Sequence, residues 1–125
     1  MHLHLATLLT TTFITFLTLT KAIRITTPKT GDIIHCNQPW QVCWEAVNTD
    51  PPQFCLYLTN FIDFPPQIFP LLGQRPIVTD GGGCVTIPPP SCPSPLRNTP
   101  YRVRATVCGD PNTIFAESGD FRVVL

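Results

Sequence analysis

Apolar and polar residues alternate along several short stretches of the chain, which is the pattern of β-strands that bury one face. The clearest stretch is 101–107, where Tyr101 and Val103 point to one side and Arg102 and Arg104 to the other. Further strands of this kind are predicted at residues 23–27, 41–47, 54–59, 84–87 and 116–124, the last broken by Gly119, with a short edge strand at 77–79. The pattern therefore predicts an all-β fold.

Turn residues separate the predicted strands, and no segment after residue 22 has the periodicity of an amphipathic helix. Short strands at regular spacing predict an Ig-like or fibronectin-III-like antiparallel β-sandwich of about seven strands. Trp44 alternates with Val42 and Ala46 and is therefore predicted to lie in the core between the sheets. The proline-rich stretch 60–76 does not alternate, so it is predicted to be a long loop.

The first 22 residues differ from the rest, because an apolar stretch diluted by threonine runs from Leu5 to about Leu19. This stretch is short for a membrane span, which needs about 20 apolar residues. Thr20 and Ala22 are small, as signal peptidase requires, so residues 1–22 are predicted to be a signal peptide. No lysine or arginine precedes the apolar run, and a retained anchor or buried helix is the alternative. Residues 23–125 are then expected to form a single domain.

The composition narrows the classes of partner. The chain has no formal net charge and only 13% charged residues, so we expect neither nucleic acid nor an acidic membrane surface as a partner. Its 15 prolines and 6 cysteines are typical of a secreted domain rich in strands and loops. We expect a monomer that is secreted, extracellular or in the cell wall, with no membrane segment in the mature form.

The cysteines predict covalent links between strands. Their number is even, all of them follow the predicted signal peptide, and no two are spaced as C-x-x-C. This favours three disulfides over a metal site or a reactive thiol, for which His35 would be the one histidine after residue 22. In a sandwich the second strand commonly neighbours the fifth and the third neighbours the sixth, which narrows the pairing. The predicted pairs are Cys36–Cys92, Cys43–Cys84 and Cys55–Cys108.

The strand motifs occur in a recognisable order. They are IRITTPKTGDII, QPWQVCWEAV, CLYLTNF, CVTIPPPS, YRVRATV and ESGDFRVV, with key positions at Ile23, Ile25, Pro28, Trp44, Pro88, 101–103 and 118–121. This order resembles the N-terminal Ig-like domain of the killer-toxin-resistance family of fungal cell-wall glucan-synthesis proteins, which many Ser/Thr-rich, lipid-anchored surface proteins share. The resemblance implies fungal origin, secretion, a β-sandwich and a link to the cell wall. The chain carries no Ser/Thr-rich tail and no further C-terminal region, so a short freestanding member is expected.

Three phenylalanines in the predicted loop are the candidate ligand contacts: Phe61, Phe64 and Phe69. In one interpretation the loop folds over a sheet and buries its own rings. In the other the rings form an exposed platform for a glycan or a protein, since exposed apolar patches usually mark interaction sites.

No catalytic, cofactor or metal site is predicted. A glycosidase needs two carboxylates about 5–10 Å apart in a cleft, and most Asp and Glu residues here lie in predicted turns. Arg102 and Arg104 share a strand face, which is more typical of a solvated face than of a contact patch. The triglycine at 81–83 lacks the lysine and the helix of a phosphate-binding loop.

We therefore expect a non-enzymatic, secreted fungal cell-wall-associated protein that binds wall polysaccharide or a surface protein. One alternative is a secreted effector-like protein that acts on a host or competitor target. Another, from a different class, is a small hydrolase.

Overall fold

A computed structural model describes residues 22–125, and the predicted signal peptide lies outside this part except for Ala22. Apart from a single turn of 3-10 helix at Leu72–Gln74, every regular element of these residues is a strand, which confirms the all-β prediction. The strands are β1 (Arg24–Thr27), β2 (Ile33–His35), β3 (Trp40–Glu45), β4 (Gln53–Asn60), β5 (Gln67–Pro70), β6 (Ile77–Val78), β7 (Gly82–Ile87), β8 (Arg102–Val107), β9 (Asp110–Glu117) and β10 (Arg122–Val124). Across residues 22–125, no helix has the length and apolar character needed to cross a membrane.

Eight of these strands form two antiparallel sheets. In the smaller sheet β3 lies between β1 and β7. In the larger sheet the order is β5-β4-β8-β9, and β6 also pairs with β4. β2 and β10 form a separate parallel pair, so the fold is not antiparallel throughout.

The inner faces of both sheets contribute to one core. Trp44 of the smaller sheet meets Phe54 of the larger sheet edge to face, with ring centroids 5.2 Å apart. Both rings are buried, which confirms that Trp44 is a core residue. Other buried apolar side chains in this core are Ile25, Val42, Leu56, Leu58, Ile87 and Val103.

The stretch after β4 is more regular than the predicted long loop. β5 pairs with the second half of β4, and β6 confirms the short edge strand predicted near Ile77. β5 stands at the edge of the sheet, where the missing N–H of Pro70 breaks no ladder hydrogen bond. The prediction of a loop throughout 60–76 was therefore wrong for Gln67–Pro70.

The predicted last strand is two strands in different places. β9 continues along β8, whereas β10 leaves it and pairs with β2. Gly119 lies between them, and a Cβ at this position would collide with the side chain of Thr30. β2 has only three residues, too few to show alternation. The described residues therefore contain ten strands, where the pattern predicted about seven.

All six cysteines are in disulfides, and the pairs are those suggested by strand topology. They are Cys36–Cys92, Cys43–Cys84 and Cys55–Cys108. The second disulfide joins directly opposite residues of β3 and β7, and the third joins β4 to the residue after β8. Three disulfides are typical of proteins that mature in an oxidising compartment.

Tyr101 is buried just before β8, and its phenol is hydrogen-bonded on both sides. The hydroxyl donates to Oε1 of Gln67 at 2.6 Å and accepts from the backbone N–H of Arg97 at 3.1 Å. Burial raises the pKa of the phenol above its ordinary value of 10.0. The folded protein therefore keeps this proton at a pH at which the unfolded chain has released it.

We expect the stability of the protein to fall in alkali as Tyr101 ionises. Its raised pKa adds a constant amount to the free energy of unfolding below about pH 10. This contribution declines as the pH rises from the pKa of the unfolded chain towards that of the folded protein. Tyr101→Phe should be less stable at pH 8 but should lose stability less steeply above pH 10. Urea unfolding of both proteins between about pH 8 and pH 11 measures this slope. Parallel stability profiles for the two proteins would contradict the prediction.

Candidate binding face

The larger sheet has an outer face that points away from the core. The β4–β8 ladder places Tyr57 opposite Arg104 and Thr59 opposite Arg102, and opposite residues share a face of the sheet. Tyr57 and Thr59 are nevertheless buried. On the same face, the ring of Phe61, in the chain after β4, lies over the Arg104 guanidinium, 4.6 Å from the ring centroid.

The structure does not bring the three candidate phenylalanines together. Phe64 is 93% exposed and Phe61 is 49% exposed, so both are available to a ligand. Phe69 lies opposite Leu58 in β5, on the inner face, and packs against the core. Each interpretation of the loop therefore applies to part of it. Phe69 is a packing residue, as the first interpretation expected, whereas Phe61 and Phe64 are exposed at the surface.

The aromatic loop, defined as residues 61–66, is held at its first half by Asn60. The side-chain oxygen of this buried asparagine accepts hydrogen bonds from the backbone N–H groups of Ile62 and Asp63, at 3.0 and 3.4 Å. Its amide nitrogen donates to Thr99 Oγ1 at 2.9 Å, and this hydroxyl donates in turn to the Asp63 carboxylate at 2.6 Å. The backbone on the N-terminal side of Phe64 is therefore fixed to the segment before β8.

Arg97 holds the other half of the aromatic loop. Its guanidinium donates to the carbonyl oxygens of Asp63 and Pro65, the two residues that flank Phe64. An exposed aromatic ring on a backbone that is already ordered loses less conformational freedom on binding than one on an unrestrained loop. The arrangement holds Phe64 exposed on an ordered backbone.

A shallow groove of about 220 Å³ lies beside the aromatic loop on the outer face. Apolar and charged side chains line it, among them Phe61, Ile62, Arg102, Arg104, Glu117 and Asp120. Several strands and loops meet here: the aromatic loop follows β4, the arginines lie on β8, and the carboxylates lie at and after the end of β9.

The charged side chains of the groove form a connected set of ion pairs. Arg102 Nε donates to Asp120 at 2.6 Å, and its Nη1 lies 3.6 Å from Glu117. Arg104 contacts the same Glu117 at 3.1 Å and donates to the Pro111 carbonyl at 3.0 Å. The hydrogen bond to Asp120 raises the pKa of the Arg102 guanidinium above its ordinary value. The groove thus carries two positive and two negative charges that neutralise each other.

Sequence reasoning found the two arginines but missed their carboxylate partners. Arg104 and Glu117 are direct partners in the β8–β9 ladder, and opposite charges at opposite positions stabilise antiparallel pairs. The usable signal was the tight turn at Gly109, which joins the strands of this hairpin. The predicted strand began at 116, so the pairing register could not be assigned.

The groove combines an exposed aromatic ring with fixed hydrogen-bond donors and acceptors. Aromatic rings supply apolar contact area and lose little conformational entropy on binding. Carboxylates and guanidinium groups form hydrogen bonds with the hydroxyls of a polar ligand. This combination suits an extended, hydroxyl-rich ligand that lies across the surface. Within residues 22–125, no group of three or more His, Cys, Asp or Glu side chains could hold a metal ion.

Comparison with known proteins gives one informative match. No protein-family model matches the chain. Over 104 residues, which are 82% of this chain, it is 30% identical to an uncharacterized protein of Schizosaccharomyces pombe. The chain spans 28% of the length of that protein. The similarity establishes a distant homologue in a fungus.

Proposed function

We propose that this protein is a secreted, non-enzymatic binding protein of the fungal cell wall, and that it recognises wall polysaccharide or a surface protein through the outer face of the larger sheet. Three lines of argument support the proposal. The distant homologue belongs to a fungus, and three disulfides suit an oxidising compartment. The order of strand motifs resembles that of the Ig-like domain of the killer-toxin-resistance family, and we propose that this chain has the same type of fold.

The observation that carries the proposal is the rigid exposure of Phe64 on the aromatic loop, whose Phe61 and Ile62 line the groove. A large apolar side chain with 93% exposure gains nothing in the isolated protein, because it contacts water rather than a core. Its backbone is nevertheless held by Arg97 and by the Asn60–Thr99 contacts. Order without burial is what a contact residue for an external ligand requires.

The state of the carboxylates supports binding over hydrolysis. Glu117 and Asp120 are both ion-paired to arginines of β8. A glycosidase of the common type needs one carboxyl group as a general acid and a second as a base or nucleophile. In the groove both carboxylates are engaged in holding the arginines in place.

We expect Phe64→Ser to weaken polysaccharide binding without affecting folding. The exported protein is incubated with particulate fungal glucan and with chitin, and the retained fraction is measured over a range of protein concentrations. Loss of the ring should weaken retention at least about tenfold, equivalent to about 1.4 kcal/mol of binding free energy. The melting temperature should stay nearly unchanged, because exposed positions usually alter stability by less than about 0.5 kcal/mol.

Val78→Ser is the matched control for this experiment. Val78 is 70% exposed and pairs with Gln53, at the end of β4 opposite to Asn60, where the aromatic loop begins. It should bind as the wild type does. Equal weakening by both substitutions would argue against the aromatic loop as the contact. If the wild-type protein were retained on neither glucan nor chitin, wall-polysaccharide binding would be wrong.

A secreted effector-like protein is the second candidate, and one observation favours it. A single protruding aromatic side chain resembles the anchor residues that dominate many protein–protein interfaces. In this case Phe64 would enter a pocket of a host or competitor protein, and the groove would form the polar rim. Absence of polysaccharide retention, together with no loss of melting temperature in Phe64→Ser, would favour this candidate.

A further inference from the structure

We infer that the groove selects an uncharged polysaccharide and discriminates against both anionic and cationic chains. The inference rests on the proposed function and specifies the chemical class of its ligand. It follows from the way in which the four charged side chains of the groove satisfy one another.

Arg104 has little capacity left to bind an anion. Nε and Nη2 face Glu117, and Nη1 donates to the Pro111 carbonyl. Phe61 covers the face of the guanidinium, and the side chain is only 10% exposed. Strong recognition of a carboxylate or phosphate by arginine uses two parallel N–H donors that point at the anion. Arg104 has committed these donors to the protein.

Arg102 is the more exposed arginine, and its charge is also compensated. Asp120 accepts from its Nε at 2.6 Å, and Glu117 lies 3.6 Å from its Nη1. An anionic ligand that approached Arg102 would meet both carboxylates. A cationic ligand that approached the carboxylates would meet the two arginines. Like charges placed close together across an interface disfavour the wrong partner, so both kinds of charged chain are rejected.

A hydroxyl-rich, uncharged chain meets no such penalty. A hydroxyl is both a donor and an acceptor, so it can bond the exposed half of Arg102 or the exposed carboxylate of Asp120 without an unpaired charge. Phe61 and Ile62 are exposed at the side of the groove and provide an apolar surface for the C–H face of a sugar ring. The groove therefore fits neutral sugars in both its polar and its apolar parts.

The test compares three polymers as probes: curdlan, which is uncharged, polygalacturonate, which is anionic, and chitosan, which is cationic. The wild-type protein should be retained on curdlan, and this retention should change less than about twofold between low and high salt, because an uncharged polymer carries no charge whose attraction salt could screen. Asp120→Asn leaves Arg102 partly uncompensated. It should gain at least about tenfold in affinity for polygalacturonate at low salt and lose the gain at high salt.

Glu45→Gln is the matched control. It makes the same change in net charge and breaks a comparable exposed ion pair with Arg24, on the smaller sheet. It should gain no affinity for polygalacturonate. Equal gains in the two variants, or a wild-type protein that prefers either charged polymer to curdlan, would overturn the inference and leave the proposed polysaccharide binding intact. Retention of the wild type on none of the three polymers would overturn both.

Discussion

Replacing Trp44 with alanine should lower the free energy of unfolding by about 3–5 kcal/mol, the range for a buried tryptophan truncated to alanine. The indole fills the space between the two sheets, where it meets Phe54 edge to face at 5.2 Å. Its Nε1 donates to the Thr79 carbonyl at 2.9 Å, in a buried environment. Alanine would leave a cavity and remove this hydrogen bond, while the Thr79 carbonyl would keep the second one that it accepts from the Gly82 N–H. Because small domains have only about 5–15 kcal/mol of net stability, this single change would remove a large part of it.

The local backbone makes this site specific for tryptophan. Gly83 lies directly opposite Trp44 in the β3–β7 ladder, and a Cβ there would come within 3.3 Å of the indole. The absence of a side chain at 83 therefore leaves room for the large ring. If the indole were removed, Gly83 would have no side chain that could move into the cavity.

Trp44→Phe separates the two contributions. Phenylalanine keeps an aromatic ring in the core but cannot donate to the Thr79 carbonyl, which still accepts from the Gly82 N–H. The lost hydrogen bond should therefore cost about 0.5–1.5 kcal/mol. Equilibrium unfolding in urea measures both variants, with intact disulfides in each. A loss below about 1 kcal/mol for Trp44→Ala would contradict a core role, since truncations of buried aromatic residues are rarely so mild.

Alternation predicted three of the longer strands well, because apolar residues at every second position can be recognised within one strand without knowledge of its partners. β3, β4 and β8 were expected at 41–47, 54–59 and 101–107 and differ from these bounds by two residues at most. Each has a row of apolar side chains that point into the core. The same pattern correctly assigned Trp44 to the core.

Features that depend on pairing between distant residues were not predictable in this way. β2 has three residues and is defined by its parallel partner β10, about 90 positions further along the chain. The inward orientation of Phe69 follows from its register against Leu58. The rigidity of the aromatic loop comes from Arg97, which lies 34 residues after Asp63. Sequence reasoning could therefore identify the aromatic residues but not separate the packed one from the exposed ones.

Only part of the charged groove could be predicted from the sequence. Its arginines are visible in the alternation of β8, because they occupy the positions between core residues. Their neutralisation depends on the β8–β9 register and on the segment after β9, which brings Asp120 to Arg102. The functional meaning of the arginines changes with this information. Without their partners they would indicate an anion-binding patch, whereas with them they indicate a neutral surface.

Removing the disulfide Cys36–Cys92 should destabilise the protein more than removing Cys43–Cys84. Chain entropy alone predicts a similar loss for both, about 4 kcal/mol each, because the stabilisation rises only with the logarithm of loop length. The sequence separations are 56 and 41 residues. The difference between the two disulfides therefore has to come from their surroundings in the folded protein.

The surroundings differ in two ways. Cys36 is completely buried in the core, whereas Cys43 is half-buried and Cys84 is exposed. The Cys43–Cys84 bridge also joins positions that the β3–β7 ladder already holds side by side. The Cys36–Cys92 bridge instead joins the turn before β3 to the proline-rich segment after β7, which lie outside the strands. Its loss would remove core packing as well as the covalent link.

We expect the double variant Cys36→Ala/Cys92→Ala to lose about 1–2 kcal/mol more than Cys43→Ala/Cys84→Ala, since truncating buried groups adds a cavity term to the entropic one. Guanidinium unfolding of both variants at neutral pH gives this difference directly, and each single pair leaves the other two disulfides in place. Equal losses would mean that the bridges act through the unfolded chain alone. A larger loss for Cys43→Ala/Cys84→Ala would contradict the packing argument, because the exposed bridge would then contribute more to the folded state than the buried one.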